Sequence, residues 1–104
     1  MALEITDKNF EEVTKTDKLV IIDFWATWCG PCRAMSPVID ELAKEYEGQV
    51  VIGKCNTDEN NDTAMNFGVR NIPMFAFLKN GEVVETLVGS QPKANFVKLI
   101  ESYK

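Results

Sequence analysis

Histidine is missing from this 104-residue chain. Its absence removes imidazole metal ligands, Ser-His and Cys-His nucleophile pairs, and imidazole as a general base. Positive charge is scarce too: 11 Lys and Arg stand against 16 Asp and Glu, a net charge of −5. Nucleic acid and anionic membrane surfaces both select a positive patch, so neither fits as a partner. No apolar run approaches the roughly 18 residues that span a bilayer. The opening Met1-Ala2-Leu3-Glu4-Ile5 has no basic n-region and no long apolar stretch, which speaks against a signal peptide and for a cytoplasmic location. Cysteines number three, Cys29, Cys32 and Cys55. An odd count suits no secreted disulfide scaffold. In a reducing compartment a close pair reads instead as metal-binding or catalytic. Repeats, low-complexity segments and linkers are absent as well.

What is present suffices for one domain over residues 1–104, since a chain this long with 45% apolar residues can fill one core and not two. The acidic surface suggests a monomer. Leu3 to Ile5 reads as a short strand. Thr6 or Asp7 can cap a helix whose inner face carries Phe10 and Val13. Leu19 to Trp25 is nearly continuous and β-branched, the pattern of a central strand covered on both faces. A helix is expected from about Pro31 to Tyr46, with Val38, Ile39, Leu42 and Tyr46 as its apolar stripe and Gly48 just past its end. Pro37 falls inside it, removes the bond to the Arg33 carbonyl and should kink it. Val50 to about Cys55 is a third strand. A short helix around Asp62 to Phe67 ends at Gly68. Pro73 introduces a strand over Met74 to Leu78, and Asn80-Gly81 signals a two-residue hairpin returning through Glu82 to Val88. Gly89 and Ser90 are read as the start of a last helix with the stripe Phe96, Leu99, Ile100, Tyr103. The order β-α-β-α-β-α-β-β-α predicts an α/β sandwich with a mixed sheet between helices.

Chemistry concentrates in Trp28-Cys29-Gly30-Pro31-Cys32. An i, i+3 spacing puts two thiols on one helical turn, where they can close into a disulfide or reopen with little backbone movement. The metal alternative is a structural zinc site, but zinc wants four ligands, and only Cys55 and carboxylates remain to join the pair. A free thiol of pKa about 8.5 is only about 3% thiolate at pH 7. Cys29 lies where strand gives way to helix, so unpaired N–H groups and the positive dipole end face its sulfur. An effect of about 1 kcal/mol lowers the pKa by roughly 0.7, which alone is too little. A hydrogen bond from the Cys32 thiol is expected to add a similar contribution. Cys29 is therefore read as the nucleophile and Cys32 as the resolving thiol. Gly30 leaves room for a partner chain, and Pro31 fixes φ where a first-turn N–H would be unpaired anyway.

Asp23 interrupts an otherwise apolar strand. It is either a strand-end carboxylate reaching water or a buried acid of raised pKa. Lys54 is either a strand-end lysine with its amine in water or a cation acting on Asp23. Ile72-Pro73 would be trans on the base rate of X–Pro bonds alone. Trp25 reads as core support and Cys55 as a small buried hydrophobe. Met35 and Met74 read as core or rim, and Arg33 as an exposed charge adding positive potential near Cys29.

Asp23-Phe24-Trp25-Ala26 running into Trp28 to Cys32, with Pro37, Lys54, Asn56, Asp58, Ile72-Pro73, Lys79-Asn80-Gly81 and Val88-Gly89 in order behind, resembles the thioredoxin family over essentially the whole chain. Cys55, Thr57 and Met74 depart from that pattern. The resemblance implies a five-stranded mixed sheet flanked by four helices and general protein disulfide reductase activity. It implies that Asp23 is a buried acid beneath the disulfide that accepts the Cys32 proton, tempered by Lys54. It also implies that Ile72-Pro73 is cis and faces the disulfide. Trp28, Gly30, Pro31, Ile72, Pro73, Val88 and Gly89 would form a shallow apolar patch for an extended target peptide. No cofactor would be bound; electrons would come from NADPH through a flavin-containing thioredoxin reductase. Targets would include ribonucleotide reductase, peroxiredoxin and methionine sulfoxide reductase. A redox-inactive binding subunit of the same fold is the competing reading, against which the intact cysteine pair and Asp23 speak. An oxidase or isomerase of this fold usually carries a leader and a histidine between its cysteines, and this chain shows neither.

Overall fold

A computed structural model describes residues 2–104. Nine elements alternate as expected: β1 (Leu3–Glu4), α1 (Phe10–Thr14), β2 (Leu19–Trp25), α2 (Gly30–Glu45), β3 (Val50–Asn56), α3 (Asn61–Asn66), β4 (Met74–Lys79), β5 (Glu82–Val88) and α4 (Lys93–Tyr103). The strands form one mixed sheet in the order β1-β3-β2-β4-β5. β1, β3 and β2 run parallel; β4 and β5 are antiparallel to their neighbours.

Strand alternation divides the core into two layers. Leu19 and Ile21 of β2, Val50 and Ile52 of β3, and Phe75 and Phe77 of β4 pack against Met35, Ile39 and Leu42 of α2 and Phe96 and Ile100 of α4. The opposite face carries Val20, Ile22, Phe24, Cys55, Met74 and Ala76, covered by Phe10 and Val13 of α1 and by Phe67 just past α3. Phe96 makes an edge contact to Phe75 at 4.8 Å between centroids and stacks on Phe77 at 6.2 Å, which fixes α4 on the sheet. β2, buried on both faces, is the continuous apolar strand that its sequence reads as. Gly53 lets β1 pass close by: a Cβ there would stand 2.9 Å from the Leu3 carbonyl oxygen and collide with the Ile5 side chain.

Several local expectations shift. The last helix begins at Lys93, not at Gly89 or Ser90. Gly89 has φ +83 and Pro92 is extended at φ −67, ψ 146; a left-handed glycine resists the helical conformation, and so does Gln91 in front of Pro92. The buried face of α2 is Cys32, Met35, Ile39 and Leu42, with Val38 and Tyr46 only half-buried, so the stripe is centred nearer the N-terminus than expected. The helix continues past Pro37 to Glu45. α1 starts at Phe10, and Thr6 acts at the turn before it. Its Oγ1 accepts the Asn9 N–H at 3.2 Å while Asn9 Oδ1 accepts the Thr6 N–H at 2.7 Å. Asp7 serves a different helix: its Oδ1 accepts both the N–H and the hydroxyl of Thr63, capping α3 across the chain. The hairpin is as read, with Asn80 at φ 53 and Gly81 at φ 80, the left-handed pair that a type I′ turn requires. No described helix is long and apolar enough to cross a membrane.

Candidate active site

Three segments converge at one end of the sheet: the residues after β2, the N-terminus of α2, and the chain leading into β4. Ala26, Cys29 and Cys32 form a small buried cluster with Trp25 and Ile72 against it. Cys29 and Cys32 are joined in a disulfide with their Cα atoms 5.2 Å apart. Cys29 is the N-cap of α2: its backbone is extended (φ −89, ψ 109), and its Sγ accepts the Cys32 N–H at 3.2 Å. That N–H is one of the orphan donors every helix N-terminus leaves. The helix start thus directs both its dipole and a specific backbone donor at one sulfur, and a thiolate there gains from both. The Cys32 amide supplies this donor already in the disulfide form, apart from any donor that the Cys32 thiol adds in the dithiol form.

The Ile72–Pro73 peptide is cis, as the resemblance implied and the base rate did not. The Ile72 carbonyl oxygen lies 3.9 Å from Cys29 Sγ. Among the described residues no backbone hydrogen bond engages the Ile72 N–H or C=O, whereas the Pro73 carbonyl accepts the Gly89 N–H at 2.8 Å. Pro73 itself is buried, so its ring adds little to the apolar patch expected of it; it lies inside the fold, at the mouth of β4. Trp28 is 68% exposed and Val88 51% exposed, Gly30 and Pro31 are open to solvent, and Ile72 and Gly89 are half-buried. A Cβ on Gly30 would meet no atom within 4 Å, so nothing inside the chain demands glycine there. The indole of Trp28 is held by Asp58, whose Oδ2 accepts its Nε1–H at 2.9 Å. An open groove of about 420 Å³ runs from Trp28 and Ile72 along α3, past Met65, Val69 and Arg70. Arg33 is exposed and donates to the Thr27 carbonyl at 2.9 Å.

Behind the disulfide, Asp23 is fully buried, and neither carboxylate oxygen has a hydrogen-bond partner. Burial pushes its pKa from 3.8 up to about 7; Lys54 opposes the rise and Asp40 adds to it. This answers the strand-end alternative: the side chain does not reach water. Asp23 and Lys54 are register partners on β2 and β3. The Lys54 ammonium does not sit on the carboxylate. It donates to Ser36 Oγ at 2.5 Å and lies 4.9 Å from the centroid of the Trp25 ring. Ser36 carried no signal in the sequence, since a serine inside an amphipathic helix reads as solvated. Cys55 is fully buried on the other face of the sheet, where burial above all pushes its thiol up to about 12.

Comparison with known proteins bears on the same residues. The family model for thioredoxin matches residues 1–102. A thioredoxin from Chlorobaculum thiosulfatiphilum is 48% identical over 101 residues, covering 96% of this chain and 94% of its own. A thioredoxin from Haemophilus influenzae is 47% identical over 102 residues, covering 97% and 95%. Thioredoxin 1 of a Nostoc species is 44% identical over 103 residues, covering 98% and 96%. With a five-stranded mixed sheet, four helices and a Cys-Gly-Pro-Cys disulfide at the head of α2, the chain belongs to the thioredoxin family of dithiol oxidoreductases that reduce protein disulfides.

Proposed function

We propose that Cys29 and Cys32 act in fixed order, with Asp23 as the proton acceptor between them. The observation that carries this reading is the asymmetry of the pair: Cys29 caps α2 and receives the Cys32 N–H, while Cys32 sits 1% exposed inside the helix. In the dithiol form the Cys29 thiolate attacks one sulfur of a target disulfide. A bond forms between Cys29 and that sulfur, and the other target sulfur leaves as a thiolate. Cys32 then gives its proton to the Asp23 carboxylate, directly or through one water, and its thiolate attacks Cys29 Sγ. The mixed disulfide breaks, and the second target sulfur leaves. Two electrons have passed to the target, and the Cys29–Cys32 disulfide remains. An acid whose pKa lies near 7 can accept a proton and release it again at neutral pH, which a surface aspartate cannot. Lys54 tempers that acid, as its opposing electrostatic effect on Asp23 supports.

Target peptides would bind extended across Ile72, whose unengaged N–H and C=O can pair with a second strand. Trp28, Gly30, Pro31, Val88 and Gly89 would provide the flanking apolar surface, and Pro73 would shape the ledge from within. Family membership implies a reductase that recharges the dithiol and disulfide-bearing targets in general. The finer assignments belong to this proposal: NADPH supplies electrons through a flavin thioredoxin reductase, and ribonucleotide reductase, peroxiredoxin and methionine sulfoxide reductase are among the targets. The protein would work as a cytoplasmic monomer built of one domain.

The test is to trap the intermediate. Cys32→Ser should accumulate a covalent adduct with a disulfide substrate through Cys29, visible by non-reducing electrophoresis and mass spectrometry. Cys29→Ser should form none, and absence of an adduct with Cys32→Ser sinks the order of attack. In rapid mixing, Asp23→Asn should slow release of the reduced target more than initial attack. Equal slowing of both steps would remove Asp23 from the proton path.

A further inference from the structure

Alternation puts Asp23 and Trp25 of β2 and Lys54 of β3 on the sheet face that α2 covers. Among the described residues Lys54 and Asp23 form no ion pair, and the Asp23 oxygens have no hydrogen-bond partner. The ammonium is held instead by two groups: Ser36 Oγ on α2 at 2.5 Å, and the Trp25 ring of β2 at 4.9 Å. The Ser36 bond ties it to the helix. On its outer side lies an open cavity of about 440 Å³ walled by Lys54, Trp25, Glu4 and Glu59. Glu4 and Glu59 are exposed carboxylates and offer a flexible lysine an alternative direction.

We propose that Ser36 is a positioning residue of this site: its hydroxyl seats the Lys54 ammonium against Trp25 and keeps it turned toward Asp23 rather than toward Glu4 and Glu59. A lysine carries a compact charge on a long flexible stem, and its effect on a neighbour falls off with distance. An unseated ammonium drawn into the cavity would favour the Asp23 carboxylate less. The groups that face Asp23 are few. β3 supplies Lys54; α2 supplies Asp40 and, at its head, the disulfide; β4 supplies Phe75, which does not ionise. Lys54 is therefore the only cation among them, and its seat is a control on the acid. The importance of this seat for turnover rests on the role proposed above for Asp23; the seat itself does not.

The test follows the Asp23 carboxyl carbon by NMR in the oxidised full-length protein from about pH 5 to about pH 9. The parent, Ser36→Ala, Ser36→Thr, Lys54→Met and the Ser36→Ala/Lys54→Met double variant are compared. Ser36→Ala improves helix propensity and should fold. Its titration midpoint should rise on the order of half a pH unit. Ser36→Thr, which keeps the hydroxyl, should restore the parent midpoint. In the Lys54→Met background Ser36→Ala should add nothing. An unchanged or lower midpoint in Ser36→Ala, or an equal rise with Lys54 already gone, overturns the proposal. Because the titration reads the oxidised protein and not its turnover, failure here leaves the kinetic role of Asp23 standing. Failure of the Asp23→Asn kinetics likewise leaves the seat standing.

Discussion

Replacing Asp23 by Asn should stabilise the oxidised protein by an amount that grows with pH. Burial lifts this carboxyl from 3.8 to about 7 in the folded state, while the unfolded chain returns it to its ordinary value. Between those two values the folded protein binds a proton that the unfolded chain does not. The slope of stability with pH is set by protons bound in the unfolded state less those bound in the folded state, so here it is negative. Stability falls by about 1.4 kcal/mol for each pH unit across that window. The full loss, about 4 kcal/mol, is reached above pH 7. It is a large share of the roughly 5–15 kcal/mol that holds a domain folded. Asn cannot ionise and escapes this penalty. The fixed cost of burying an amide without a partner does not change with pH, and the other titrating groups are common to both proteins. The difference between the two stability curves therefore isolates Asp23. Urea unfolding of both oxidised proteins from about pH 4 to about pH 9 should show the variant gaining up to about pH 7 and levelling off above it, by more than about 1 M in midpoint over the range. A difference flat with pH would mean that the folded protein ionises Asp23 freely, and the burial argument for its role would fail with it.

Two further outcomes follow from groups outside the disulfide. The Cys55 thiol is buried and pushed up to about 12, so in the reduced native protein it should stay silent to a thiol reagent and react only after unfolding. A third thiol titrating in the native protein would contradict its placement. Asp7→Ala should lower the melting temperature by uncapping α3, and the deficit should shrink in acid. Asp7 is held below 3.8, first by the Thr63 hydroxyl and then by the Thr63 N–H, so its contribution is present above the unfolded pKa and is lost as pH falls through the folded one. A deficit unchanged by acidification would show that the loss comes from packing.

The features legible in the sequence were those encoded by near neighbours. Continuous apolar residues marked β2, Asn80-Gly81 marked the hairpin, and the three-residue spacing marked the cysteine pair. What was not legible depends on residues far apart in the chain. Thr6 and Asp7 both read as caps of α1; one serves the turn before it, and the other caps α3 from 56 residues away. The left-handed Gly89 and the extended Pro92 delay α4 by a few residues, a backbone property that an apolar stripe does not report. Asp23 could be picked out as a charge in an apolar strand. That it would be left without any partner needed α2 laid over it. Ser36 gave no signal at all, because its importance comes from a lysine on another strand.

The two halves of the site make opposite electrostatic demands, and the fold meets them on different elements. Cys29 must ionise readily, so it needs exposed backbone donors and a positive potential. The chain provides them where β2 gives way to α2, the place where N–H groups are left over. The proton-acceptor role proposed for Asp23 requires it to resist ionising, so it needs depth and few partners. It has them two residues before the end of β2, beneath the helix that activates Cys29. Asp23 and Cys29 are six positions apart in the chain, and the strand-to-helix transition lies between them. A lysine in contact with Asp23 would collapse the difference by pulling the acid toward its ordinary value. Lys54 is a register partner of Asp23 and is nevertheless held on Ser36 and Trp25. That arrangement keeps a cation near enough to limit the rise in pKa and far enough away to leave the acid able to hold a proton at neutral pH.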